Sequence, residues 1–278
     1  MERWPAHYGT AQNETRRVMP ANGAFIFPDA LGAFLHKKVV VVARGENGLV
    51  AVNKPVGVIS HPNTGVASRS ALLLAPYNLR RRAYAVIGGE VFLLNRLDEP
   101  TEGLVLLAQS ERVAKSVRES FRKHAVQKTY YAFVKAGPVP AKSWHDFAVE
   151  RNDGKSVRLS PGKEMEMRTN VKVVEKIQFG DLSCFLLELH PLTGRTHQLR
   201  FQCAKHGVPI AGDRIYGDFK YNKAFHGATG SHRLQLLAAE IEFDYTLAGK
   251  VFHFFARSPS TDAFLSPSGR EKRADNLT

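Results

Sequence analysis

Seven apolar runs of five to seven residues, at 49–53, 103–108, 130–135, 171–177, 184–189, 239–245 and 250–256, punctuate the chain. Each is too short for a stable helix and rich in Val, Leu, Phe or Tyr, so each reads as a strand. Strand backbones satisfy their N–H and C=O groups only by lying side by side, so seven strands demand an extensive sheet. The last two runs are separated by four residues that include Gly249, which marks an antiparallel hairpin.

Helical signals are fewer. In SERVAKSVRESFRKH, Ser110 is a candidate N-cap, Glu111 sits in the first turn, and Val113, Val117 and Phe121 stack at a spacing of four. A second helix begins near Thr196, with Leu199 and Cys203 on one face, and stops at Gly207 with Pro209 beyond it. Strands and helices alternate irregularly, so the expected class is α+β: a mixed, largely antiparallel central sheet with flanking helices and loops. Segment 136–170, rich in Pro, Gly and charge, is expected to form long hairpin loops over one face. The expected organisation is an N-terminal extension at 1–45, with 1–22 loose and no clear small basic RNA-binding module, one folded domain at 46–258, and a polar tail at 259–278.

Charge narrows the class of partner. In 278 residues, 39 Lys and Arg stand against 26 Asp and Glu, a formal charge of +13. A polyanion is the default partner of such a surface, and nucleic acid leads over a membrane. Two cysteines, Cys184 and Cys203, cannot make a disulfide framework and read as reduced thiols. The start of the chain lacks the apolar run of a signal peptide, and no stretch reaches bilayer length, so the expected location is the cytoplasm. Of the set His197, Cys203 and His206, positions 197 and 203 differ by six and do not share a helical face, and no metal site is expected.

Four segments could carry chemistry. Asp98 lies in a turn after Phe92-Leu93-Leu94, with Arg96 two residues before it; by itself this fits a turn Asp or ion pair as well as a nucleophile or acid/base. The stretch 190–217 runs from a strand through a Gly-containing turn into a helix whose start carries Arg195, His197 and Arg200, a place where an anion would be received. Lys54-Pro55 and Gly57 form a turn after a buried strand. Tyr130 and Tyr131 are neighbours in one strand, so only one of the two rings can line a site.

Together, KPVG (54–57), RLDEPTEGLVLLA (96–108), KTYYAFV (128–134), LTGRTHQLRFQCAKHGVPIAGDRIYG (192–217) and HRLQLLAAEIEF (232–243) resemble, in order and spacing, the pseudouridine synthases of the RluA/RsuA-like group, more closely the RluA type. The resemblance covers about 46–258 and implies the pseudouridine synthase fold. It also implies an activity: isomerisation of uridine in rRNA or tRNA, after base flipping, by breaking the N-glycosidic bond and rejoining uracil through carbon, with no cofactor and no metal. Carried over by residue, it makes Asp98 the catalytic aspartate, Tyr130 the aromatic that stacks on the base and Arg200 the basic partner of the aspartate. Arg96, Lys128, Arg195, His197, Ile210, Arg214 and Tyr216 are the implied substrate-binding residues, Ile210 helping to floor the pocket. Lys128, Arg195 and Arg214, with Arg80-Arg81-Arg82, are the candidate RNA-backbone contacts. Two positions depart from the usual RluA-type pattern, Asn95 before RLD and Glu102 after Thr101. The expected oligomeric state is a monomer. A catalytically silent RNA-binding module on the same fold, and an enzyme acting on a small phosphate ester, are the competing readings.

Overall fold

The structure is a computed structural model that describes residues 30–63, 65–152 and 157–266. In chain order these form α1 (Ala30–Phe34), β1 (Val40–Arg44), β2 (Leu49–Lys54), β3 (Tyr77–Asn78), β4 (Ala83–Val86), β5 (Gly89–Leu93), β6 (Glu102–Ala108), α2 (Glu111–Arg122), β7 (Gln127–Lys135), β8 (Ser143–Asn152), β9 (Val157–Pro161), β10 (Met165–Phe179), β11 (Leu182–Pro191), α3 (Gln198–Lys205), α4 (Phe219–Thr229), β12 (Leu236–Leu247), β13 (Lys250–Arg257) and α5 (Thr261–Leu265). The thirteen strands share one sheet whose main path is β3-β4-β5-β6-β12-β7-β11-β10-β8-β9, with β2 added to β6, β1 to β2 and β13 to β12. Strand pairings are antiparallel except that of β6 with β12. The α+β class and the mixed, largely antiparallel sheet expected from the apolar runs are what the chain forms.

Period-two alternation decides which face each side chain serves. On β2 and β6, Val50, Val52, Val105 and Leu107 enter one cluster with Leu72, Leu73, Tyr77 and Tyr84, while Ala51, Leu104 and Leu106 enter another with Val113 and Val117 of α2. On β7 and β11, Ala132, Val134, Leu187 and Leu189 pack with Leu199 and Cys203 of α3, whereas Phe133, Leu186 and Cys184 pack with Tyr221 and Phe225 of α4. Tyr130 packs against both the β2/β6 cluster with Tyr84 and the α3 cluster, and Tyr131 against the α4 cluster, so the two tyrosines do part to opposite faces. Ser110 caps α2 by accepting from the Val113 N–H, and Gly207 follows α3 in the left-handed region, as their residue types imply.

Segment 136–170 is a correction to the loop expectation. It contains β8, β9 and the first part of β10, which form an antiparallel arm. Its apolar residues are sparse because only one side is covered: Trp144, Ala148, Leu159 and Met167 are buried, while His145 and Phe147 between them are exposed. Residues 31–44 of the expected N-terminal extension also contribute to the fold, since β1 pairs with β2 and Leu31 of α1 is buried in the core. Looseness expected at 1–22 and 266–278 falls, but for Ser266, outside the described residues.

The parallel meeting of β6 and β12 sets the position of the loop that precedes β6. Gly103 pairs with Ala238 at a φ of +126°, and a Cβ there would lie 2.2 Å from the Ala238 carbonyl oxygen. Only glycine tolerates both the conformation and the approach. Gly103→Ala is therefore expected to cost about 3 kcal/mol from backbone strain and overpacking together, read as a lowered midpoint in guanidinium unfolding.

Candidate active site

Loop 94–101 carries Asp98 between β5 and β6, and side chains grip it from both sides. The Asp98 carbonyl accepts from the Thr101 N–H, closing a tight turn through Pro100. Ser60 bridges both backbone groups of Leu97, its hydroxyl donating to the carbonyl at 2.8 Å and accepting from the N–H at 2.9 Å. Asn95 does the same for β6, donating to Leu104 O and accepting from the Leu106 N–H. Lys54 is wholly buried, and its ammonium donates to the carbonyls of Pro55, Val58 and Glu99 at 2.8–3.1 Å. Burial pulls its pKa down to about 8, against the pull of the Asp98 and Glu102 charges.

Arg200, on the first turn of α3, reaches Asp98 from the other direction. Its Nη1 donates to Asp98 Oδ2 at 3.0 Å, while Nε and Nη2 make a two-pronged pair with Asp213 at 2.7 and 2.8 Å. Asp213 also accepts from the N–H groups of Ile215 and Tyr216. Burial pushes the Asp213 carboxyl up, but the Arg200 hydrogen bonds and charge and the two backbone donors outweigh it and hold the group below the usual 3.8. The anion received at the start of α3 is thus an internal carboxylate.

Tyr130, His197, Tyr216 and Ile210 complete the surroundings. Burial, then the Asp98 charge, raise the Tyr130 pKa, so its phenol stays protonated. His197 Nε2 lies 3.6 Å from Asp98 Oδ2, and its Nδ1 is 3.1 Å from the Tyr216 hydroxyl. Tyr216 presents its ring to the Arg200 guanidinium, 5.5 Å from centroid to carbon. Ile210 is buried beside Val134, in the cluster on which Tyr130 packs.

The basic residues divide. Arg96, Arg195 and Arg214 are exposed, within two residues of Asp98, His197 and Asp213 respectively. Arg96 approaches the His61 ring at 3.4 Å. Lys128, expected on the RNA backbone, instead donates its ammonium to the Thr193 carbonyl at 3.1 Å, and burial lowers its pKa to about 8. The Arg80-Arg81-Arg82 cluster is also partly taken up: Arg81 pairs with Glu90 and Glu111, and Arg82 donates to Leu94 O. Glu102 accepts from the Ser260 hydroxyl and faces Arg233 at 4.0 Å. Sequence reasoning missed Asp213 and Ser60, and took Lys54 as part of a turn without foreseeing its burial or its hold on the Glu99 carbonyl. Asp213 left a trace, as an Asp followed at two and three residues by N–H groups it could accept.

Among the described residues no group of three or more His, Cys, Asp or Glu is placed to hold a metal ion, and no helix is long and apolar enough to cross a membrane. Asp213→Asn leaves a buried guanidinium half paired, so it should cost about 3–5 kcal/mol in urea unfolding at neutral pH. Because the folded pKa of Asp213 lies below 3.8, its contribution is complete above that value and lost as pH falls through the folded value. The gap between the wild type and this variant should narrow on acidification below pH 3.8.

With that geometry in place, comparison with known proteins is specific. The family model described as RNA pseudouridylate synthase matches residues 48–205, more than half of the chain. A protein of Vibrio parahaemolyticus named tRNA pseudouridine synthase C is 35% identical over 204 residues, covering 70% of this chain and 80% of that protein. One of Vibrio vulnificus named ribosomal large subunit pseudouridine synthase C is 29% identical over 250 residues, covering 88% and 75%. Human RNA pseudouridylate synthase domain containing 1 shares the fold at a TM-score of 0.59 and 20% identity, over 82% of this chain and 86% of that one. Human domain containing 4 gives 0.56 and 23%, over 85% and 93%. The chain belongs to the RluA-like family of RNA pseudouridylate synthases.

Proposed function

We propose that this protein isomerises uridine in transfer or ribosomal RNA to pseudouridine, with Asp98 as the reacting carboxylate. The observation that carries the reading is the asymmetric sharing of Arg200. Asp213 takes two prongs of the guanidinium and Asp98 only one, so one cation stands between two carboxylates and a negative charge is left at Asp98. That carboxylate can attack C1′ as the bond to uracil N1 breaks, or take the proton from C2′ as the base leaves. In the first route C5 then displaces the carboxylate from C1′, and in the second the carboxylate returns its proton to C2′ as C5 joins C1′; both end with the C5 proton lost and N1 protonated, and either needs an unencumbered carboxylate oxygen. Tyr130, a neutral phenol against the same space, is the surface on which the detached base turns.

A uridine stacked in RNA cannot reach a half-buried aspartate, so the base is flipped at a cost of a few kcal/mol, offset by contacts to the flanking backbone. Arg96, Arg195 and Arg214 supply those contacts, each being exposed and next to a residue of the site. The higher identity to enzymes named for tRNA favours tRNA as the substrate. The reading carries with it a single chain acting in the cytoplasm, where Cys184 and Cys203 stay as buried thiols.

Total RNA from a strain lacking the protein, incubated with it and mapped by carbodiimide-dependent reverse-transcription stops, tests the activity. Wild type should make a new stop and Asp98→Asn none, while both bind the RNA within a few-fold of each other. If both proteins bind and neither makes a stop, the protein is a silent binding module instead. Arg214→Ala should weaken binding to all RNAs alike and reduce the slope of log affinity against log salt by about one, measured by filter binding across a salt series.

A further inference from the structure

Three groups form a line into the site, and the first of them, Leu159, lies outside its expected members. The Leu159 N–H, on β9, donates to the Tyr216 hydroxyl at 2.6 Å. Having accepted there, the hydroxyl has its own proton to give, and the acceptor in reach is His197 Nδ1 at 3.1 Å. A neutral His197 ring then carries its proton on Nε2, the nitrogen that faces Asp98 Oδ2 at 3.6 Å. The opposite tautomer would turn a lone pair on the carboxylate and leave the tyrosine proton without this acceptor. Burial favours the neutral ring, lowering the His197 pKa against the opposing pull of Asp98. The His197 backbone is held in the left-handed region, at φ 55°, which few side chains adopt without a cost that the surroundings must offset.

Both donors to the Asp98 carboxylate therefore converge on one atom. Arg200 Nη1 sits 3.0 Å from Oδ2, and His197 Nε2 lies 3.6 Å from the same oxygen, just beyond hydrogen-bond range, a gap that the bound complex can close. No donor among the described residues lies within hydrogen-bonding distance of Oδ1. We propose that His197 is a positioning residue: with its tautomer set by Tyr216 and, behind it, by the Leu159 N–H, it fixes Oδ2 together with Arg200 and so assigns Oδ1 as the oxygen that meets the ribose. This rests on the reading of Asp98 as the reacting carboxylate, and it gives the β8–β9 arm a part in the chemistry.

The test separates the two readings. Long-range proton–nitrogen correlation on protein labelled with 15N-histidine, with the His197 signals identified by their loss in His197→Gln, reads the tautomer without any substrate. Wild type should show Nε2 protonated and Nδ1 bare, and Tyr216→Phe, which keeps the ring on Arg200 and Phe201, should shift the population toward Nδ1–H. A bare Nε2 in the wild type overturns the proposal even if the enzyme is active. In single-turnover isomerisation, Tyr216→Phe should slow the step about 10- to 100-fold with RNA affinity unchanged. His197→Ala should be slower than His197→Gln, whose amide can still donate near the Nε2 position. Wild-type rates in Tyr216→Phe, or a loss confined to RNA affinity in His197→Ala, would make these residues RNA contacts and overturn the assignment. If wild-type protein forms no pseudouridine, the function falls, and the nitrogen shifts still decide the tautomer.

Discussion

The pairing of one buried guanidinium with two carboxylates is the constraint around which the site is built. Arg200 is 3% exposed and Asp213 1%. Taking such charges out of water costs several kcal/mol per ion, offset only when geometry and further hydrogen bonds are good. Here they are: the two prongs at 2.7 and 2.8 Å and two backbone N–H donors satisfy Asp213, and the remaining prong goes to Asp98. The interaction ties three distant stretches of chain, the loop before β6, the start of α3 and the turn after Ile210. Gly212 allows that turn, since at its φ of +76° a Cβ would lie 2.0 Å from the Arg233 carbonyl oxygen.

A charge so held is useful only if the backbone beneath it is equally fixed. The clamps on residues 94–101 all use side chains to satisfy backbone groups that a sheet would otherwise pair. Asn95 supplies β6 with the two hydrogen bonds of a missing strand, because it lies beyond the end of β5. Ser60 does so for Leu97, and Lys54 gathers three carbonyls of the turns around it, those of Pro55 and Glu99 also accepting the backbone N–H groups of Val58 and Gly57. The two departures from the family pattern find their roles here. Asn95 is part of the scaffold, and the Glu102 charge is spent on Ser260 and Arg233.

Legibility followed the hydrophobic pattern and failed where polar pairing took over. All seven apolar runs are strands and the Ser110 helix is where its cap places it, because burial of one or both faces writes a period into the sequence. The β8–β9 arm was invisible, since its residues are mostly polar and its pairing is made by backbone that every residue possesses. Helix α3 was read through Leu199 and Cys203, yet Arg200 and Gln202 are buried too, Gln202 donating to Asp146 at 2.8 Å. No periodicity announces a buried polar residue; what buries it is a partner brought from elsewhere by the fold. Asp98, Tyr130 and Arg200 were recoverable as candidates from the family motifs. Asp213, inside one of those motifs, was passed over because its partner is thirteen residues back.

The formal charge of +13 describes two populations of cation with opposite duties. Lys54 and Lys128 donate to backbone carbonyls and Arg200 to carboxylates, all within the fold. Arg96, Arg195 and Arg214 are exposed. The division has a chemical reason. A phosphate able to reach Arg200 would compete with Asp98 for its third prong, and RNA binding would then strip the aspartate of its partner as the substrate arrived. Burying Arg200 removes it from that competition, and placing other arginines one or two residues from Asp98, His197 and Asp213 puts phosphate binding beside the site without letting it enter. The same backbone segments thus carry an inward set of charges tuned to one carboxylate and an outward set available to a polyanion, and the wall between them is the low accessibility of α3.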